Sequence, residues 1–297
     1  MTIPSNASNA NCDSLADDPK DALTVDLKVL IDDYNTLLQH LRDQGRYPAE
    51  HINGLIMQND AVDTAHDIEI GIGACRSGDD TVDMDLTSVL TKRIDAAWAV
   101  GDNNGGMDTG SVTNDTTYHV WLIKRTDTGV VDALFSLSAT SPTMPTDYDE
   151  KRLIGSILTD ASSNIRQFKQ FYDRFELLTP QEELGGSTAA TAEQTLALTG
   201  VPTGVQVLVE LNIHSEQSSA TQRSTRIYPM DGDDLSPGDT TLTISGQSTG
   251  ADVISFGNSV RVMTDTSAQI HYRTNQSTNM WITSVAWTHP RGKQWAA

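Results

Sequence analysis

The stretch DIEIGIGACRSGDDTVDMDL, residues 67–86, sets the fold class. Ile68, Ile70, Ile72 and Ala74 alternate with Asp67, Glu69, Gly71 and Gly73, and Val82, Met84 and Leu86 alternate with Asp83 and Asp85. Successive side chains of a strand point to opposite faces, so a period of two predicts half-buried β-strands with one wet, acidic face.

The same period continues downstream. Strands are predicted at 118–124, 130–136, 153–158, 165–170 and 172–178, with turn clusters at 101–106 (GDNNGG), 127–129 (DTG) and 141–145 (SPTMP) between them. The run TPQEELGGSTAAT, residues 179–191, carries Pro, paired Gly and charge without apolar alternation, so 179–190 reads as a linker. Strands then resume at 205–213, 223–228, 241–244, 253–256, 260–263, 269–273 and 280–287. Seven or eight short strands with Gly, Ser and Asp turns predict a C-terminal antiparallel β-sandwich over 191–297, jelly-roll-like in type. The fold class is therefore mainly β, with a β-rich middle domain over 50–178.

Upstream the period changes. Leu23, Leu27, Leu30, Tyr34, Leu37 and Leu41 are spaced four, three, four, three, four, an a/d stripe that keeps one seam facing a partner helix. Asp17, Asp18 and Asp21 favour the helix N-terminus, Pro19 suits its first turn, and Gly45 with Pro48 stops it, giving a helix over 19–45. So short a helix is marginal alone, and its stripe must be buried on something. The narrow stripe favours a coiled coil of several copies, while Val25, Val29 and Ile31 widen the face and leave packing on the chain's own β-domain or a neighbouring protein open. Residues 1–18 are polar and should be disordered unless a larger assembly holds them.

Composition narrows the function classes. With 40 Asp plus Glu against 20 Lys plus Arg, the net charge of -20 argues against a phosphate-binding surface and so against nucleic acid. Such acidity serves solubility, a salty medium, or Ca²⁺ held at symmetry axes. No run is apolar and long enough for membrane insertion, and the N-terminus lacks the basic and apolar regions of a signal peptide. The two cysteines, Cys12 and Cys75, make no disulfide framework, and Cys75 in its strand reads as a small buried apolar group.

The run TYHVWLIKRTDTGVVDALFSLSATSPTMPTDYDEKRLIGSILTD, residues 117–160, resembles a module of phage tail-fibre-type virion proteins. The upstream pieces GLIMQND, DIEIGIGACRSGDD, LTKRIDAAWAVG and GGMDTG resemble the opening of that module, so the likeness covers roughly 52–178; TSVAWTHPRG, residues 283–292, is similar to C-termini of such proteins. The resemblance implies a homotrimeric virion appendage assembled in the host cytoplasm, docked on other virion proteins through residues 1–18. It carries no catalytic residues. Trimerisation would rest on Leu23, Leu27, Leu30, Tyr34, Leu37 and Leu41.

Enzyme chemistry has little footing. There is no Gly-x-Ser-x-Gly elbow, and in His214-Ser215-Glu216 alternation sends Ser215 to the face opposite His214 and Glu216. No grouped Cys/His motif suits zinc, and no cofactor is expected. Asp79-Asp80 with Asp83 and Asp85, and Asp231-Gly232-Asp233-Asp234, are oxygen-rich turns that leave Ca²⁺ open but lack EF-hand spacing. A glycan depolymerase remains an alternative, since two carboxyls a few ångströms apart are all it needs; a capsid-decoration or baseplate subunit without any ligand is another. The leading expectation is attachment to host surface polysaccharide. The C-terminal domain holds Tyr228, Tyr272, Trp281, Trp287, Trp295 and His271, and the loop TNQSTN, residues 274–279, presents planar polar groups. The expected glycan contacts are Tyr272, Asn275, Gln276, Asn279 and Trp281.

Overall fold

A computed structural model describes residues 27–37, 46–217, 223–238, 244–246 and 254–293. Residues 27–37 form a helix, α1, and strands make up most of the remaining described chain. In the middle half these are β1 (Ile52–Gly54), β2 (Met57–Asn59), β3 (Asp67–Ile70), β4 (Gly73–Arg76), β5 (Asp83–Leu86), β6 (Leu90–Ala97), β7 (Asn104–Met107), β8 (Thr117–Lys124), β9 (Val131–Ser136), β10 (Glu150–Leu158) and β11 (Phe168–Phe171). The C-terminal half holds β12 (Arg174–Ala189), β13 (Gln194–Ala197), β14 (Leu208–Gln217), β15 (Arg223–Tyr228), β16 (Ile244–Gly246), β17 (Ile254–Met263), β18 (Gln269–Thr274) and β19 (Thr278–Thr288). The chain is mainly β.

Three sheets result, in the orders β1-β4-β5, β10-β8-β9-β7-β6-β3-β2-β11-β12-β19-β14-β17, and β13-β18-β15-β16. The second passes from the middle half into the C-terminal half without a break. One apolar cluster follows it, from Leu55 and Met57 through Ile154 and Phe175 to Ile282 and Trp287. At the junction the Phe175 and Trp287 rings stack with centroids 5.4 Å apart.

Where the alternation is strict, it orients the strands as expected. Ile68, Ile70, Met84 and Leu86 are buried while their acidic neighbours face outward. Ile72 departs from the pattern: it is 61% exposed. The run breaks at Gly71, whose N–H goes to Ile56 O, and the chain resumes as β4 in another sheet.

Two segments expected to be irregular are strands. Asn104–Met107 lies parallel between β6 and β9 rather than forming a turn throughout. Its glycines are required by packing, because a Cβ at Gly105 would fall 2.0 Å from Ala97 O and one at Gly106 2.7 Å from the Phe135 ring. Residues 179–190 are not a linker; nearly all belong to β12, paired with β19. The breakers Pro180, Gly185 and Gly186 sit where the register shifts, between Glu176 and Gln181 and between Leu184 and Ser187. Bulges tolerate residues that an even ladder rejects.

In the C-terminal half, β12 pairs β19, β13 pairs β18, β14 pairs β17 and β15 pairs β16, all antiparallel. These four pairs are nested, as in one long hairpin rolled up. The eight strands divide into two four-strand layers, β12-β19-β14-β17 at one end of the long sheet and the separate sheet β13-β18-β15-β16, and one apolar cluster draws on both, with Val209 and Ile282 from the first and Ile227 and Ile270 from the second.

The segment after β19 returns to the middle half. Arg291 is buried, and its guanidinium donates to Leu55 O at 2.8 Å, Ile154 O at 2.9 Å and Gly54 O at 3.1 Å. Arg152, also buried, donates through Nε to Arg291 O at 3.1 Å. Burial holds both guanidinium groups below the usual arginine range.

Candidate functional site

The outer face of the layer β12-β19-β14-β17 gathers the most ligand-like groups. Along β14, Leu211, Ile213 and Ser215 point inward while Asn212, His214 and Glu216 point outward; along β19, Met280, Ile282 and Ser284 are buried while Asn279, Trp281 and Thr283 face out. His214 is the register partner of Trp281, and their rings meet edge to face with centroids 5.0 Å apart. Glycines flank the pair. Gly257 lies opposite His214 on β17, and at Gly186 on β12 a Cβ would approach Trp281 Cζ2 to 3.0 Å. The indole thus lies over bare backbone and keeps partial exposure. Neither its N–H nor the imidazole nitrogens of His214 are hydrogen-bonded to another described residue.

This arrangement suits a flat, hydroxyl-bearing ligand. An aromatic ring offers apolar area without much conformational entropy to lose, and polar groups beside it set orientation. Asn212, Asn279, Thr283 and Glu216 supply the polar surround.

The residues singled out in the sequence do not all meet here. Trp281 and Asn279 lie on this face, with His214 joining them. Tyr272 does not: it is buried on β18, in the opposite layer, where burial raises its phenol pKa. Strand alternation at 269–274 sends it inward, against Gln194 and Ile227. Asn275 lies in the crossing between the layers, accepting from the Ser224 N–H at 2.9 Å while its own N–H goes to Ser224 O. Gln276 is half-buried in the same crossing. His214 was visible in the sequence as part of a site-like triplet, but its pairing with Trp281 depends on the register of two strands 67 positions apart.

Ser215 is fully buried on the face opposite His214, as alternation requires. The acidic turns are engaged by donors. Asp79 accepts from the hydroxyls of Ser77 and Thr81, Asp83 from Arg76, Asp85 from Tyr47 and Arg46, and Asp234 from Arg273. Among the described residues no group of three or more His, Cys, Asp or Glu side chains converges on a metal-sized position. Cys75 is buried, and burial pushes its thiol up to about 12.

On α1, Leu27, Leu30, Tyr34 and Leu37 are all exposed, as is Val29, while Ile31 is half-buried. Leu23, Leu41, Trp295 and the tail 1–18 lie outside the described residues. No described helix is long and apolar enough to cross a membrane. No family model matches the chain, and no curated protein does.

Proposed function

We propose that this protein is a non-enzymatic subunit of a virion appendage of the phage tail-fibre type, a homotrimer that attaches to host surface glycan through the Trp281–His214 face. The observation that carries the binding role is that pair: an indole half-open to solvent, flanked by glycines, with no protein partner for its N–H among the described residues. The trimer is supported by the uncovered row Leu27, Leu30, Tyr34 and Leu37, which has the spacing of a coiled-coil seam. We read the C-terminal half as a jelly roll, since its four nested strand pairs follow that connectivity, and the architecture recurs in capsid and lectin domains. Fold alone does not assign function, so the weight rests on the face itself.

Each subunit would bind weakly, and threefold display makes later contacts intramolecular. A glycan array probed with the full chain tests the reading. Binding that Trp281→Ala abolishes, with the far-ultraviolet spectrum unchanged, supports it; silence across host polysaccharides leaves the appendage as a structural subunit.

A hydrolytic reading has one specific observation behind it. A cavity of about 550 Å³ is lined by Asp79 and Glu150 together with Trp121. Ser77 and Thr81 hold the Asp79 carboxyl low, while burial and Asp79 raise that of Glu150. Shortening of host polysaccharide that Glu150→Gln stops would replace the binding proposal with an enzymatic one.

A further inference from the structure

The face that carries Trp281 and His214 is divided by charge. At one end Arg174 donates to Glu176 at 2.5 Å and to Glu210 at 2.9 Å, and Arg261 meets Glu210 at 2.7 Å. Lys169, on β11 beside β12, is the register partner of Glu176. The strands β11, β12, β14, β17 and β19 contain no other Lys or Arg. Both guanidinium groups at this end are therefore matched to carboxylates. They are also remote from the ring pair. Glu210 lies four residues from His214 on β14, about 13 Å at the usual strand rise, against a Debye length of about 8 Å at physiological salt.

Beside the rings the charge is negative. Glu182 on β12 is the register partner of Thr283, two residues along β19 from Trp281. Its carboxylate lies against Gly185, where an added Cβ would run into it, and the adjacent Gly186 is the glycine that faces the indole. The residue is exposed, and among the described residues no cation pairs with it. Glu216, two residues beyond His214, brings another carboxylate to the same face. Between the two ends the groups are uncharged. Asn212 accepts from Ser259 Oγ at 2.5 Å, which fixes its amide, and Thr283 stands across from it on β19.

We propose that the glycan taken by this face bears no carboxylate, sulfate or phosphate, and that Glu182 is the residue that excludes acidic polysaccharides. This rests on the glycan-binding role proposed for the Trp281–His214 pair and names the class of glycan. An acidic sugar laid on the indole brings its charge to within about a Debye length of Glu182, where no described guanidinium offsets it. The net charge of -20 adds a longer-range repulsion of the same sign. An uncharged sugar escapes both terms and keeps the apolar platform. Selectivity then comes from a repulsive group set beside the platform.

The test is binding of the full chain to immobilised glycans matched in backbone and differing in charge, at pH 8 to keep imidazole charge out of the comparison. The pairs are dextran with carboxymethyl-dextran, mannan with phosphomannan, and methyl-esterified pectin with polygalacturonate. We expect Trp281-dependent binding to an uncharged member that changes less than about twofold between low and physiological salt. Its acidic counterpart should be bound several-fold more weakly at low salt. Glu182→Gln should narrow that gap several-fold and Glu182→Lys should narrow it further, with circular dichroism confirming that each variant is folded. Trp281-dependent binding to an acidic member that equals or exceeds binding to its uncharged partner overturns this inference and leaves the glycan reading standing. Variants of Glu182 that keep the wild-type ratio of acidic to uncharged binding overturn it too. Absence of Trp281-dependent binding to every glycan removes the glycan reading and this inference together.

Discussion

The Ser156 hydroxyl lies 2.9 Å from Nε2 of His289, a residue 133 positions later in the chain, and 2.8 Å from Nδ1 of His119. The protons can be placed. The Arg291 N–H donates to His289 Nδ1 at 2.8 Å, so that nitrogen is an acceptor and Nε2 carries the hydrogen. His289 then donates to Ser156, and Ser156 donates to His119 Nδ1. All three side chains are buried, and both imidazoles are neutral. The relay ties the C-terminal segment to the heart of the middle half.

This relay should make the protein acid-labile. Burial holds His119 down at about 4 and places His289 well below its ordinary value of 6.5. Unfolded histidines take up protons near 6.5, so below that pH the unfolded chain binds more of them. Stability is therefore complete above about pH 6.5 and falls as the pH drops toward 4, by on the order of 3 kcal/mol for His119 alone. Urea midpoints between pH 8 and pH 4 measure this. His119→Asn/His289→Asn should flatten the profile, and a wild-type midpoint independent of pH over that range would refute the neutral assignment.

Arg291 should be irreplaceable by lysine. Its planar fork meets three backbone carbonyls from two nitrogens held apart in fixed directions, a spread that the single nitrogen of an ammonium does not span. Arg291→Lys and Arg291→Ala should each lose about 3–5 kcal/mol, since buried carbonyls are left without donors. Chemical denaturation reads the loss, and a lysine variant as stable as wild type contradicts the account.

The pair Lys92–Asp132 should behave as a unit. The two are buried with Nζ 3.1 Å from Oδ1; Lys92 also donates to Ala99 O at 2.7 Å, and Asp132 accepts from the Gly101 N–H at 2.7 Å. Removing one charge strands the other, so Lys92→Met or Asp132→Leu should cost about 3–5 kcal/mol. The double variant should recover most of that loss in a double-mutant cycle. Additive losses would show that the two do not act together.

Tyr272 and Trp281 should part company. Tyr272→Ala opens a cavity between the layers and should lower stability by about 3 kcal/mol or more. Trp281→Ala should leave the unfolding midpoint within about 1 kcal/mol of wild type while removing glycan binding. Melting curves and array binding on the same two proteins give the comparison, and the reverse pattern would return the site to Tyr272.

Local pattern carried the reading of strands such as β3 and β5, because alternation of Ile, Met or Leu with Asp or Glu encodes a face at every second residue. It failed where a residue's role depends on what lies across from it. Pro180, Gly185 and Gly186 signal a linker to any local rule, and they become bulges because β19 supplies a partner ladder. Gly105 and Gly106 signal a turn, and they become a strand because Ala97 O and Phe135 leave no room for a Cβ.

The amino-acid order alone established a mainly β chain, a helix ahead of it and a net charge of -20. Those properties are periodic or summed, so neighbours along the chain suffice to express them. Register and long-range closure settled the rest. Trp281 faces His214 rather than Tyr272, the two halves share one sheet, and Arg291 reaches Leu55 across 236 positions. Such contacts rest on the pairing of strands distant in sequence, and that pairing exists once the core has closed around them.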